Sequence, residues 1–371
     1  MNPDIIQTIQ SCLLAWANAH LRDLPWRRER TPYRVWVSEI MLQQTQAETV
    51  ISYFERWMAR FPTVEALAQA NLDDALKLWA GLGYYARCRH LHRTAQIVVE
   101  QYGGQLPADR AALLTLPGIG LYTAGAILSL AFGQDAAVLD GNVRRVLSRL
   151  FVLDDDPKAQ ATRHKLWALA ELLVPAGHAG RFNEALMDLG ATICVPRRPC
   201  CGMCPLRGVC QGFATGDPEA YPPPVRRKPT PHYTVTAGVI WQDGRLLIAQ
   251  RPLDGLLGGL WEFPGGKQDA GESLPDCLKR ELREEMEIEV KVGEELIVVN
   301  HAFTHFSITL HAFECTYCSE GDPQIIGVRD WHWILPTELD QYAFPVVDQK
   351  IAAALTKRVG LSGETDALSQ V

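Results

Sequence analysis

The 371 residues suffice for two domains with cores of their own, and 47% hydrophobic with 21% charged side chains is the balance of a globular protein. No run of about eighteen uncharged apolar residues occurs, so no helical membrane span is expected. The net charge of −7 is uneven: residues 1–225 hold 22 Lys and Arg against 21 Asp and Glu, whereas residues 226–371 hold 14 against 22, so the N-terminal part can gather its arginines against a polyanion.

The N-terminal segment sets Ile5, Ile9, Leu13 and Trp16 at helical spacing and carries Asp4 in place of a basic start. It reads as an amphipathic helix of the fold, and a cytoplasmic protein is the expectation. The pattern stays helical to residue 210, broken at Phe61-Pro62, Gly81-Leu82-Gly83 and Tyr102-Gly103-Gly104. Thr31-Pro32 predicts a helix with proline at its first position. Glu39 falls on that helix among Val35, Trp36 and Leu42, neighbours that strip hydration and should raise its pKa. The plainer reading of Glu39 is a rim carboxylate paired with an arginine.

Residues 116–150 organise the chain. Pro117-Gly118-Ile119-Gly120 cannot continue a helix, and such a turn points successive backbone N–H groups outward as a nest for an anion. An apolar helix predicted over Thr123–Phe132 adds its N-terminal dipole to that nest. Asp140 then precedes Gly141-Asn142 and a helix predicted over Val143–Phe151, with Arg144, Arg145 and Arg149. Alone, Asp140 reads as a helix N-cap. With Glu39 it forms a raised-pKa acid beside an ionised carboxylate, the pairing that breaks glycosidic bonds. A phosphate grip beside such a pair suggests chemistry on DNA.

Five of the ten cysteines lie within residues 194–210, and with no export signal a metal site is favoured over disulfides. Cys194-x6-Cys201-x2-Cys204-x5-Cys210 suits zinc or an iron–sulfur cluster, with Cys200 left over. A Pro-rich linker, residues 212–231, carries Arg226-Arg227-Lys228. Beyond it, strands are predicted over Tyr233–Trp241, Leu246–Gln250, Ile308–Tyr317 and Trp331–Ile334, with a helix over Leu274–Met286. Residues 358–371 read as a tail.

The LPGIG hairpin, the downstream Asp140 and the cysteine spacing resemble the helix-hairpin-helix DNA glycosylases of the endonuclease III superfamily. DLPWR (23–27), SEIMLQQTQ (38–46), GLGYYAR (81–87) and DGNVRRVLSR (140–149) resemble its MutY-type, adenine-specific members. The resemblance implies a two-domain α plus α/β protein. Its helical glycosylase domain, residues 1–211, would have a six-helix/hairpin core and an iron–sulfur cluster loop over 194–210. It would be linked to a Nudix-like α/β/α domain over 232–357. A 4Fe–4S cluster on Cys194, Cys201, Cys204 and Cys210 is implied. Tyr122 stands where lyase members carry a nucleophilic lysine, which implies a monofunctional glycosylase. Glu39 would protonate a flipped-out adenine and Asp140 would stabilise positive charge at the anomeric carbon, with Tyr122 and Asn142 holding these groups. Arg22, Trp26, Arg27, Leu42 and Glu184 match positions lining the adenine pocket. Gln44, Thr45, Leu82 and Tyr84 match the surface that wedges into the base stack. The hairpin at Gly118 and Gly120 would grip a phosphate, with a monovalent cation as a further expectation. The implied partner is duplex DNA bearing 8-oxoguanine:adenine or guanine:adenine mispairs, met by a monomer in base excision repair at the nucleoid.

In the C-terminal domain Phe303-Thr304-His305 resembles the Phe-Ser-His loop that reads 8-oxoguanine in that family. WEFPGGK (261–267) and the run Gly266, Glu272, Arg280-Glu281-x-x-Glu284-Glu285 resemble a Nudix box, with Glu287 where the box has glycine. Glu281, Glu284 and Glu285 share a helix side and are candidate Mg²⁺ ligands. The alternative function they raise is hydrolysis of oxidised nucleoside triphosphates; the plainer reading is an inherited frame that only reads the lesion. Cys315-x-x-Cys318 falls offset on a strand and reads as chance.

Overall fold

The structure, a computed structural model, describes residues 2–224 and 229–358. The Arg226-Arg227-Lys228 stretch and the tail expected beyond residue 358 lie outside the described residues. Through residue 214 the elements are helical: α1 (Pro3–His20), α2 (Pro25–Arg28), α3 (Pro32–Leu42), α4 (Ala47–Arg60), α5 (Val64–Ala68), α6 (Leu72–Trp79), α7 (Ala86–Tyr102), α8 (Arg110–Thr115), α9 (Leu121–Ala126), α10 (Gly141–Leu150), α11 (Gln160–Leu173), α12 (Ala179–Thr192) and α13 (Gln211–Ala214). The remainder contributes strands β1 (His232–Gln242), β2 (Arg245–Gln250), β3 (Trp261–Glu262), β4 (Val290–Ala302), β5 (Ser307–Tyr317) and β6 (Asp330–Ile334), with helices α14 (Leu274–Met286) and α15 (Val346–Arg358).

The chain divides into two compact units, Met1–Gln69 with His90–Arg227, and Ala70–Arg89 with Lys228–Val371. Segment 70–89, read from the sequence as part of the helical domain, groups with the second unit because its polar contacts lie there. Asp73 accepts from Gln250 Nε2 at 3.3 Å and Trp261 Nε1 at 3.4 Å, and Arg89 donates to the Gly258 carbonyl at 2.6 Å.

The first unit is built on periodic apolar faces. Ile9, Leu13, Trp16 and Ala17 of α1 are buried against Val143, Leu147 and Leu186, whereas Ile5 is 37% exposed, so the buried stripe begins one turn later than predicted. The apolar helix predicted over Thr123–Phe132 begins at Leu121 and widens into a π-helix over Ile127–Ala131. Ser129 Oγ donates back to the Gly125 carbonyl at 2.8 Å, and buried Asn183 bridges Ser129 Oγ and the Ala136 carbonyl, which steadies the wider turn.

In the second unit the sheet runs β3-β2-β1-β5-β4, with β6 on the other side of β2 and a parallel β1–β5 pair at its centre. Strand alternation splits the core. Val239, Leu246 and Ile248 face Ile351 and Leu355 of α15, while Ile240, Leu247 and Ala249 face Leu278, Leu282 and Met286 of α14. This is the α/β/α sandwich expected. Strand β4 and helix α15 carry no clean sequence signal, because β4 is bulged between Val292 and Ile297 and half-exposed along its length.

Candidate active site

Glu39 lies in the middle of α3 and is only 3% exposed, which excludes the exposed rim carboxylate. Its Oε2 accepts a short hydrogen bond from the Tyr122 phenol, brought by α9. Burial pushes the Glu39 carboxyl up to about 7; the Tyr122 hydrogen bond and the Arg27 charge oppose this, and Asp140 and Glu184 add to it. Tyr122 also reaches Met187 Sδ at 3.5 Å, and burial with the nearby carboxylates holds its phenol well above the usual range.

Asp140 is the helix N-cap it was read as, and its charge also acts on Glu39. It caps α10, accepting from Val143 N at 2.7 Å, and its other oxygen accepts from Asn142 Nδ2 at 3.1 Å. Burial raises its carboxyl; the Val143 and Asn142 donors and the Arg145 charge work the other way and favour the ionised form. The amide of Asn142 is itself oriented. Arg145 Nη2 donates to Asn142 Oδ1 at 2.9 Å and to the Gly190 carbonyl at 2.7 Å, and Arg145 Nε donates to the Cys194 carbonyl at 2.8 Å. A Cβ on Gly190 would meet Asn142 Cβ at 2.6 Å, so α12 needs glycine there for α10 to approach.

Of the five proposed pocket residues, Arg27 and Glu184 act on Glu39 through their charges. Glu184 of α12 is 2% exposed, with Oε1 3.4 Å from Arg27 Nε and Oε2 2.9 Å from Arg30 Nη2. Burial raises the Glu184 carboxyl against the pull of Arg27 and Arg30. Arg22 and Arg27 both close on Asp188, a fully buried carboxylate one turn after Glu184. Burial would push Asp188 up, but the Arg27 and Arg22 hydrogen bonds outweigh it and hold the carboxyl below its usual range. Trp26 packs edge-on to Phe54 at 5.5 Å, and Leu42 ends α3 half-buried. Asp188 and Gly190 were not singled out from the sequence, and Arg145 was named there only as a charge on its helix. The one signal available for Asp188 was its i+4 spacing from Glu184 on the same helix face.

At the hairpin, Gly118 takes φ +78° with its Cα hydrogen against His90, where a Cβ would come within 2.8 Å, and Thr94 Oγ1 donates to the Pro117 carbonyl at 2.8 Å. Gly120 is extended and caps α9. Among the expected wedge residues, Gln44 is exposed at φ +60° and Tyr84 is half-buried at φ +48°; side chains in this left-handed region are held against their preference, as at functional turns. Thr45 is half-buried. Leu82 departs from expectation: it is 6% exposed, packed inward by the turn that follows Trp79.

In the second unit Tyr84 Oη lies 2.6 Å from Thr304 Oγ1, in the loop between β4 and β5. That loop is closed by Phe303 N donating to the Phe306 carbonyl and by the two rings stacking at 4.6 Å, leaving Thr304 and His305 exposed. On α14, Arg280 gathers the acids: it bonds Glu272, Glu281 at 3.0 Å and Glu284 at 3.1 Å. Glu285 lies apart, against Gly327, and burial followed by the Glu262 and Glu281 charges pushes its carboxyl up to about 7. Of the candidate Mg²⁺ ligands Glu281, Glu284 and Glu285, the first two are engaged by Arg280 and the third turns away from it. Among the described residues no three His, Cys, Asp or Glu side chains converge to hold one metal ion. Glu287 sits at φ +52° as the C-cap of α14, the left-handed site where glycine costs least.

Cys194, Cys201, Cys204 and Cys210 line one pocket with Arg149, whose Nη1 donates to Cys194 Sγ at 3.3 Å; Cys200 is exposed outside it. Arg149 also donates to the carbonyls of Val195 and Pro196, so its buried guanidinium shapes the loop. No helix of the described residues is long and apolar enough to cross a membrane.

A family model for the HhH-GPD superfamily of base excision DNA repair proteins matches residues 37–172, and a NUDIX domain model matches residues 236–354. The chain is 37% identical to the adenine DNA glycosylase of Homo sapiens over 406 residues, covering 93% of this chain and 73% of that one. It is 39% identical to the adenine DNA glycosylase of Rattus norvegicus over 356 residues, covering 81% and 69%. A solved thermostable thymine-DNA glycosylase matches with a TM-score of 0.53 and 34% identity, over 57% of this chain and 98% of that one.

Proposed function

Because the chain belongs to the adenine DNA glycosylase family of HhH-GPD base excision repair proteins, we propose that it hydrolyses the N-glycosidic bond of adenine mispaired in duplex DNA. The observation that carries this reading is Glu39, a buried carboxyl with a pKa of about 7, hydrogen-bonded to a phenol and in the field of a second carboxylate. With the adenine flipped from the stack, protonated Glu39 gives its proton to the imidazole ring of the purine. The bond from the anomeric carbon to the base breaks, and its electrons leave with a neutral adenine. Asp140, in its ionised form, stabilises the positive sugar, and Asn142 holds that carboxylate. Water adds to the anomeric carbon, its proton passes to the Glu39 carboxylate left by the first step, and an abasic site remains. Tyr122 keeps Glu39 in place and offers no amine, so the strand is not cut.

Arg22, Arg27 and Glu184 are the polar lining that reads the adenine edge, with Trp26 and Leu42 as its apolar walls. Gln44, Thr45 and Tyr84 enter the stack, Leu82 supports the turn beneath Tyr84, and the N–H groups around Gly118 and Gly120 bind a phosphate together with a monovalent cation. Phe303, Thr304 and His305 read 8-oxoguanine opposite the adenine. Incubation with an 8-oxoguanine:adenine duplex tests the whole reading. Strand breaks that appear only after alkali are expected; breaks without alkali, or intact strands after it, would overturn it.

The four cysteine sulfurs suit a 4Fe–4S cluster. They share one pocket, yet no three close on a single ion, as zinc with its short Zn–S bonds of about 2.3 Å would require. Cys194, Cys201, Cys204 and Cys210 would hold it, and the cluster would tie the 194–210 loop together. Iron and acid-labile sulfide at about four each per chain is the expected analysis. Nucleotide hydrolysis by the second unit is not favoured, since Arg280 already engages the glutamates such a site needs.

A further inference from the structure

We infer that Asp188 is a positioning residue for the glycosylase step, setting the guanidinium of Arg27 and, through it, both the base-reading face of the pocket and the proton donor Glu39. This rests on the proposed reading of the pocket as an adenine site. Asp188 is fully buried, and its carboxylate accepts four hydrogen bonds from two arginines, with Arg22 Nη2 as a further ion-pair contact. The Arg22 backbone N–H (3.0 Å), Nε (2.9 Å) and Nη2 (2.8 Å) reach it from one side. Arg27 Nη1 (2.7 Å) and Nη2 (3.0 Å) grip both of its oxygens from the other.

The bond count on Arg27 shows what this does. A guanidinium has five N–H groups, and here Nη1 serves Asp188 and the Arg22 carbonyl at 3.1 Å, Nη2 serves Asp188, and Nε faces Glu184 at 3.4 Å. Among the described residues one Nη2 hydrogen is left, and it is the donor Arg27 can offer a base edge. The two-point grip fixes the plane of the fork, so that hydrogen has one direction. Glu184 and Asp188 sit four residues apart on α12, so the same helix supplies the acid beside the base and the acid behind the arginine.

Charge gives a second consequence. The ionisable groups acting on Glu39 are Tyr122 and Asp140 from the hairpin side, Arg27 from α2 and Glu184 from α12, and Arg27 is the cation among them. Asp188 shares that cation. Without the Asp188 charge, Arg27 acts on Glu39 undiluted, favours its ionised form, and the proton is lost at lower pH.

The test uses the full-length holoenzyme and single-turnover adenine release from an 8-oxoguanine:adenine duplex across pH. Asp188→Asn is expected to slow release about tenfold to a hundredfold with duplex affinity changed no more than about twofold. Its high-pH limb should move down by about one unit. Asp188→Glu should return the limb to the wild-type position while the rate stays reduced. Arg22→Ala, which leaves Asp188 to Arg27 alone, should move the limb up, and it carries the test if Asp188→Asn does not fold. An unmoved limb in the variants that fold, even with a slower rate, overturns the inference and leaves Asp188 a packing residue. A wild-type protein that releases no adenine overturns the functional reading itself, and this inference with it.

Discussion

In the first unit Glu39 is buried to 3% exposure, faces a phenol and a second carboxylate, and keeps a pKa of about 7. In the second unit burial does the same to two other carboxyls: Glu285 is pushed up to about 7 and Asp348 to about 8. Their partners differ. Asp348 accepts from Phe263 N at 3.0 Å beneath the sheet, and Glu262, whose charge acts on both, is salt-bridged to Arg251. Glu272 before α14 and Glu281 and Glu284 on it are drawn onto Arg280. A raised carboxyl pKa is therefore a product of burial in either unit. What distinguishes the first is a second carboxylate that accepts from Val143 N and Asn142 Nδ2 at a helix N-terminus, with the Arg27 and Glu184 charges beside it.

Asp140→Asn is the sharpest way to break that comparison. Loss of the charge at the helix start should lower adenine release by about a thousandfold or more while duplex binding persists. Glu281→Gln together with Glu284→Gln should leave release within about twofold, because those charges balance Arg280. Equal losses in both variants would show that the second unit shares the chemistry.

Stability should separate the regions as well. The Glu39 carboxyl is raised from 4.5 to about 7 on folding, so the folded state binds its proton more tightly. Its destabilising effect is absent below pH 4.5 and complete above about 7. Glu39→Gln should therefore stabilise the protein by on the order of 2–3 kcal/mol at pH 8 and hardly at all at pH 4, measured by denaturant unfolding. A gain independent of pH would contradict the buried-carboxyl account.

Gly190→Ala puts a methyl group against the Cβ and backbone of Asn142, so it should slow adenine release about tenfold by tilting the Asn142 amide away from Asp140 and lower the melting temperature by pushing α10 from α12. The smallest effect is expected in the second unit. Glu287→Gly should relieve the left-handed C-cap of α14 and stabilise by about 0.5–1 kcal/mol, with adenine release unchanged.

Some of this was legible before any coordinates. Helix α14 appears over the residues its periodicity predicts, because a Ser273 cap, a proline after it and the stripe Leu278, Leu282 and Met286 agree. Strands β1, β2 and β5 lie within a residue or two of their predicted bounds. Glu39 was legible as a desolvated acid because its shield comes from its own helix turn. The inward turn of Leu82, the grouping of residues 70–89 and the π-helix after α9 were not legible, since each depends on contacts with residues distant in the chain.

By itself the amino-acid sequence determined the elements, the hairpin, the two carboxyls, the tyrosine in place of a lysine and the four cysteines, all of them consequences of local backbone preference or of side-chain identity. Only the tertiary structure decided which charges meet. It set Asp188 behind Arg27, Arg145 behind Asn142, and Gly190 where α10 presses on α12. The physical reason is that a side chain's hydration, hydrogen-bond partners and electric field are properties of the groups packed around it, and here those groups come from helices far apart in the chain.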